Sequence, residues 1–201
     1  MKPPLASCIA AFLCFLIVPA TYAADFAKGL DALDRGDYAE AVKIIRPLAE
    51  SGDVRAQYRM GTMYALGNGV PRDYAQAATW LKKAAAQGNV HAQNDLGVLY
   101  DLGRGVASDP KEAAKWYRMA ALQGLGAAQL GLASLYQEGQ GVPRDLTEAF
   151  AWANAASQLG EAQGQKIQDA VSKLMTPAQY QQAQKLADEY SQKYVQPFQG
   201  R

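Results

Sequence analysis

The sequence predicts an all-α fold, a right-handed α-α superhelix in which helix-turn-helix units stack into a solenoid. Three observations carry the prediction. Laid against itself at a shift of 36 residues, the chain registers again and again: Ala56 with Ala92 and Ala128, Tyr64 with Tyr100 and Tyr136, Gly67 with Gly103 and Gly139, Trp80 with Trp116 and Trp152. Inside each copy, apolar residues recur at helical spacing in two separate runs. Glycine ends the first run and aspartate opens the second at fixed positions: Asp73, Asp109 and Asp145. One helix pair cannot bury its own apolar faces, so each repeat must cover its neighbour.

The elements follow in order. Met1-Lys2 supplies a small positive charge, Leu5 to Val18 is an almost unbroken apolar run, and Pro19-Ala20-Thr21-Tyr22-Ala23 ends it with small residues. This pattern predicts a secretory signal peptide over 1–23, cut after Ala23, with Ala24 as the alternative, and a periplasmic or secreted protein. The apolar run is shorter than the roughly 20 residues of a membrane span, so no stable span is expected after cleavage. Leu5-Ala6-Ser7-Cys8 resembles a lipoprotein box but precedes most of the apolar stretch, where such a box should follow it.

Residues 24–52 predict an N-terminal capping unit, whose second helix carries Asp37, Tyr38, Ala41, Ile44 and Ile45. Three repeats span 53–160, as 53–88, 89–124 and 125–160. In the first, Ala56, Met60, Gly61 and Tyr64 make the apolar stripe of one helix, and Gly67 ends it as a left-handed cap. Asp73 with Gln76 three residues on, then Asp109 with Glu112 and Asp145 with Glu148, predict capped second helices, with Pro110 at a first helical position. Ala77, Trp80, Leu81 and Ala84 form the buried stripe of that helix. Residues 161–201 predict a degenerate repeat helix, Ala162 to Leu174, and a capping helix opened by the box Thr176-Pro177-Ala178-Gln179.

Composition excludes much else. The 201 residues balance 20 Lys and Arg against 19 Asp and Glu, a net charge of +1, too weak a field to hold nucleic acid. A single His and two Cys, both inside the predicted signal peptide, leave no predicted metal site, cofactor or thiol chemistry. An exported chain without disulfides must be held by its core, which this length permits.

The pattern Ala-x-x-x-Leu/Met-Gly-x-x-Tyr-x-x-Gly-x-Gly-Val-x-x-Asp-x-x-x-Ala-x-x-Trp-x-x-x-Ala-Ala-x-x-Gly, in three copies from Gly52 to Gly160, resembles the Sel-one-like repeat (SLR) of the tetratricopeptide-like (TPR) superfamily. Departures are few: Ala133 replaces the helix glycine in the third copy, and Ala107 and Ser108 replace Pro-Arg before Asp109. The resemblance implies a repeat scaffold for protein–protein interaction. It also implies that the stripe of the first helices beside the core stripe faces a concave groove and holds a protein or peptide partner. Those positions are Arg55, Tyr58 and Thr62, then His91, Asn94 and Asp101, then Leu130, Ser134 and Gln137. Tyr64, Trp80, Tyr100, Trp116, Tyr136 and Trp152 are expected to be repeat core, the tryptophans lying between successive repeats.

No catalytic residue is predicted. His91 would need a hydroxyl and a carboxylate brought to it by stacking, and Asp101 with Glu138 reads as helix-end charge. The Gly-x-Gly-Val turns lack the Lys-Ser/Thr pair of a phosphate loop and follow no strand. The expected function is an exported, non-catalytic scaffold, an adaptor or regulator in the cell envelope. The alternative is a binder of peptidoglycan fragments with at most weak, β-lactamase-like hydrolysis, borrowed from a cysteine-rich branch of the family. This sequence lacks that branch's paired cysteines, and Ser172-Lys173 and Ser191-Gln192-Lys193 have the wrong spacing for a Ser-x-x-Lys nucleophile.

Overall fold

The second helix of each unit starts at an aspartate whose side chain replaces missing intrahelical acceptors. In the computed structural model, which describes residues 20–199, Asp37, Asp73, Asp109 and Asp145 cap α2 (Tyr38–Glu50), α4 (Tyr74–Ala86), α6 (Pro110–Ala121) and α8 (Leu146–Gln158). Their partners are α1 (Ala20–Asp34), α3 (Val54–Leu66), α5 (Val90–Leu102) and α7 (Gly126–Glu138). Then come α9 (Ala162–Ser172), α10 (Pro177–Tyr194) and a short 3₁₀ turn, Gln196–Phe198. All regular structure among the described residues is helical, and from α1 to α9 each helix packs on its sequence neighbours in a right-handed α-α superhelix. Most of the predicted signal segment, residues 1–19, lies outside the described residues, and α1 runs without a break across Ala23 and Ala24.

The caps differ in one respect from the reciprocal boxes expected at the second helices. Asp73 Oδ1 accepts from the N–H groups of Ala75 and Gln76 at 2.9 and 3.0 Å, but Gln76 has no need to reach back. The Asp73 N–H already donates to the Tyr64 carbonyl at 2.9 Å, as Asp109 does to Tyr100 and Asp145 to Tyr136, both at 3.0 Å. Each contact closes the Gly-x-Gly-Val loop onto the helix before it. The residues expected to complete the boxes turn elsewhere: Glu112 to Lys115 at 3.2 Å, Glu148 to the Tyr190 hydroxyl at 2.9 Å. Among the described residues only Thr176 and Gln179 form the full box, at the start of α10.

The loops lock successive repeats together. Gly105 has φ 71°, and a Cβ built there would lie 2.5 Å from the Ala75 nitrogen and closer still to the Tyr74 carbonyl, so the turn of one repeat sits on the first residues of the previous second helix. Gly69 meets Tyr38, and Gly141 meets Pro110, in the same way. Glycine is required at this position by left-handed backbone and by close approach together.

A glutamine ladder runs beside the core. Gln57 and Gln93 are buried, and each side-chain amide donates to the carbonyl eight residues back, Ala49 and Ala85, at 3.2 Å. Each also accepts from a glutamine at the end of the following second helix, Gln87 or Gln123, at 2.7 Å. In the third repeat that position is Leu159, so Gln129 Oε1 finds no donor among the described residues. Gln129 Nε2 bonds Ala121 at 3.2 Å and also takes the Tyr194 carbonyl at 3.1 Å.

Tyr194 is there because α10 lies across α8 rather than against α9. The Trp152 ring stacks on Tyr194 with centroids 5.4 Å apart and meets Tyr190 at 4.4 Å, while Phe150 meets Tyr180 edge-on at 5.6 Å. Phe198 then seats over Gly124. The apolar face of α10 thereby covers the open side of the last repeat.

Candidate functional site

The inner face is defined by which helices approach. Two pairs of successive first helices touch, α3 with α5 and α7 with α9, while α5 and α7 do not make a comparable contact, nor do α4 and α6 or α6 and α8. The outward stripe of these first helices is the one that the family resemblance assigns to a concave groove.

The tryptophans sit away from this face. Trp80 packs into a cluster of Ile45, Leu48 and Ala49 from the preceding unit with Met60 of its own, and Trp116 into one of Ala77, Leu81 and Ala84 from the preceding unit with Leu96 of its own. Trp152 belongs to the cluster shared with α10. Tyr136 is buried, its hydroxyl bonded to the Arg118 guanidinium, while Tyr64 and Tyr100 are half-buried.

On this stripe, the residues predicted to face a partner fall into three groups. Arg55 is held by its own cap residue: its guanidinium pairs with Asp53 at 2.8 Å and lies 4.5 Å over the Phe26 ring. Burial raises the Asp53 carboxyl, and hydrogen bonds from Arg55 and from the backbone N–H groups of Ala56 and Arg55 outweigh it, leaving it below the usual carboxylate range. Tyr58, His91 and Asn94 come together: the rings of Tyr58 and His91 are 5.9 Å apart, and Asn94 Nδ2 donates at 3.2 Å to Asp95. Thr62 turns its hydroxyl back to the Arg59 carbonyl at 2.8 Å, and Leu130, Ser134 and Gln137 on α7 are half-buried. Asp101 is half-buried too, and burial raises its carboxyl.

Asp95 is the residue that sequence reasoning passed over. Burial pushes its carboxyl up, against hydrogen bonds from Asn94 and Tyr58 and the nearby His91, and burial likewise raises the Tyr58 hydroxyl. It forms no ion pair among the described residues. It lines a cleft of about 350 Å³ between α3 and α5, with Thr62, Leu66 and Val98 on the walls and Leu81 of α4 beneath. The available signal was the series Arg59, Asp95, Gly131 at one repeat position, which changes character completely while its surroundings do not.

One Ser-x-x-Lys quartet does occur, Ser108-Asp109-Pro110-Lys111, a correction to the sequence-based search that weighed only the two mis-spaced pairs. It is the loop that enters α6. Ser108 Oγ donates to the Asp101 carbonyl at 3.4 Å, Asp109 caps the helix through the Lys111 and Glu112 N–H groups, and both Ser108 and Lys111 are exposed. The quartet is placed as the capped start of α6. Among the described residues no three of His, Cys, Asp and Glu converge on one point, and no helix is long and apolar enough to cross a membrane.

Paired helices stacked at a fixed period, with an unvarying frame and a varying inner stripe, define a solenoid repeat protein. The chain belongs to the Sel1 repeat family, whose model matches residues 54–89, 90–125 and 126–161. Such repeats typically build scaffolds for protein–protein interaction. Among solved structures, the chain is similar to c5321, a protective antigen present in uropathogenic Escherichia coli strains and displaying an SLR fold. The identity is 31% and the TM-score 0.61, over 86% of this chain and 46% of that one. It is similar also to a Sel1 repeat protein from Oxalobacter formigenes, at 31% identity and a TM-score of 0.65, over 69% of this chain and 57% of that one. The chain thus spans about half the length of these relatives. No curated protein matches it.

Proposed function

We propose that the protein is an exported, non-catalytic scaffold that binds another protein through its concave face and acts as an adaptor or regulator in the cell envelope. Export rests on the pattern of residues 1–23. The observation that carries the binding role is the meeting of Tyr58, His91, Asn94 and Asp95 on the inner side of α3 and α5, on a frame otherwise repeated from unit to unit. Aromatic and partly desolvated polar groups set in a concavity are the composition of an interface hot spot.

In-cell crosslinking of tagged protein, followed by mass spectrometry, tests this. The parent is expected to capture a specific envelope protein, and a variant carrying Tyr58→Ala, His91→Ala and Asn94→Ala to lose it while keeping its far-UV spectrum. Capture of the same set by both proteins would overturn the concave-face assignment. Turnover of a chromogenic β-lactam or of labelled muropeptides by the purified protein would overturn the non-catalytic reading.

A further inference from the structure

The cleft between α3 and α5 exists because the repeats are unequal at one floor position. Leu81 lies under it, packed against Gly61. One repeat on, the same position is Tyr117, whose ring passes Gly97 and reaches Gly131, where a Cβ would lie 3.0 Å from Tyr117 Cζ. Gly131 is itself the equivalent of Asp95. The interval between α5 and α7 is thus filled by an aromatic ring with a glycine making room for it, and the interval between α3 and α5 is left open with a carboxylate in its wall.

That carboxylate is unusual for its setting. A partly desolvated charge is costly unless paired, and among the described residues Asp95 has hydrogen-bond partners but no cation in an ion pair with it. Arg104 also lines the cleft, but its guanidinium lies 5.7 Å over the Tyr74 ring and forms no ion pair with Asp95. Apart from the hydroxyl-bearing Thr62 and Tyr74, the rest of the lining is aliphatic, and Leu66, 68% exposed, leaves an uncovered hydrocarbon edge beside it. A volume of about 350 Å³ lies at the low end of ligand pockets and has room for a single long side chain.

Building on the concave-face reading, we propose that this cleft receives a lysine or arginine side chain from an extended segment of the partner protein, its aliphatic stem along Leu66 and Val98 and its cationic head on the Asp95 carboxylate. Long basic side chains bury their stems on apolar surface while the head finds a polar partner, which matches a cleft that is hydrocarbon at the edge and acidic within. The charge-assisted contact supplies the specificity, because a neutral side chain of the same length would leave Asp95 unpaired.

The test uses the full chain and fluorescent, end-blocked heptapeptide pools with a fixed central Lys, Arg, norleucine or Glu, read by anisotropy. Lys and Arg pools are expected to bind the parent about tenfold tighter than norleucine pools, the scale of one charge-assisted hydrogen bond. Asp95→Asn, which keeps the shape and removes the charge, is expected to abolish that preference. The double variant Leu81→Tyr with Asp95→Gly rebuilds the composition of the next interval, so it should fold and bind no pool. Binding of all pools without preference overturns this inference and leaves the concave-face reading intact; binding of none overturns both. A Lys preference surviving Asp95→Asn overturns it by placing the acidic contact elsewhere. A dimer in sedimentation that Asp95→Asn dissociates overturns it by making the occupant a second copy of this chain.

Discussion

Replacing Gly105 by alanine isolates the contact that ties one repeat to the next. Two effects combine at this position. The backbone is left-handed, φ 71°, which costs a residue with a Cβ roughly 1–2 kcal/mol. The new methyl also strikes the Tyr74 carbonyl and the Ala75 nitrogen at the start of α4, backbone atoms that cannot swing aside, and overpacking of this kind costs about 1–3 kcal/mol. Gly88 supplies the control: its φ is 89°, with nothing within 4 Å of a built Cβ, so Gly88→Ala carries the backbone effect alone. Both substitutions restrict the unfolded chain equally, returning about 0.4–1 kcal/mol that cancels between them. The expected difference is therefore the overpacking, about 1–3 kcal/mol, which at about 2–4 °C per kcal/mol for a chain of this size separates the two melting temperatures by about 2–12 °C. Far-UV circular dichroism melts measure it. Because stability in a repeat array is a sum of units and their interfaces, Gly105→Ala should also broaden the transition. Equal melting temperatures for the two variants would refute the close-approach argument.

Three further outcomes follow from the same structure. Asp109→Ala removes the acceptor for the Lys111 and Glu112 N–H groups and is expected to cost about 1 kcal/mol in urea unfolding, with Asp109→Asn recovering most of it. Gln93→Ala removes two hydrogen bonds made by a buried side chain, one to the Ala85 carbonyl and one from the Gln123 amide, and should cost about 1–3 kcal/mol, whereas Gln123→Ala, at an exposed position, should cost less. Asp95 sets a slope with pH. It is faced by Tyr58 of α3, His91 and Asn94 of its own helix and Tyr117 of α6, and burial raises its carboxyl above the ordinary 3.8. Between 3.8 and the folded value the native state binds more protons than the unfolded one, so this residue's contribution to stability falls as pH rises through that window. Asp95→Asn is expected to flatten the slope and to raise stability at neutral pH; a variant less stable than the parent at pH 7, measured by urea titration, would contradict it.

The family model, the helix pairs and their caps were legible because each is written in residues close together in the chain. Asp73, Asp109 and Asp145 stand one residue before their helices, Gly67, Gly103 and Gly139 stand one residue after theirs, and a period of 36 makes each signal visible three times. The sequence also nominated Tyr58, His91 and Asn94, which the fold brings together, and Arg55, which the fold instead ties to Asp53 and Phe26. The reach of Arg55 depends on how α1 lies against α3, a relation between elements that no local pattern encodes.

What the chain determined alone is the repeat, since hydrophobic period, caps and breakers act over a few residues and need no knowledge of the neighbours. Tertiary structure decided the rest, through size and contact across repeats. Asp95 looks like ordinary helix charge until Leu81, smaller than Tyr117 one repeat later, is seen to leave a cleft beside it. The Glu148 carboxylate was expected to close its own helix cap, yet the Asp145 N–H was already taken by Tyr136, and α10 crossed α8 to offer Tyr190 instead. Those outcomes turn on which side chains fill the space between helices, and that is settled only when every unit is packed against the next.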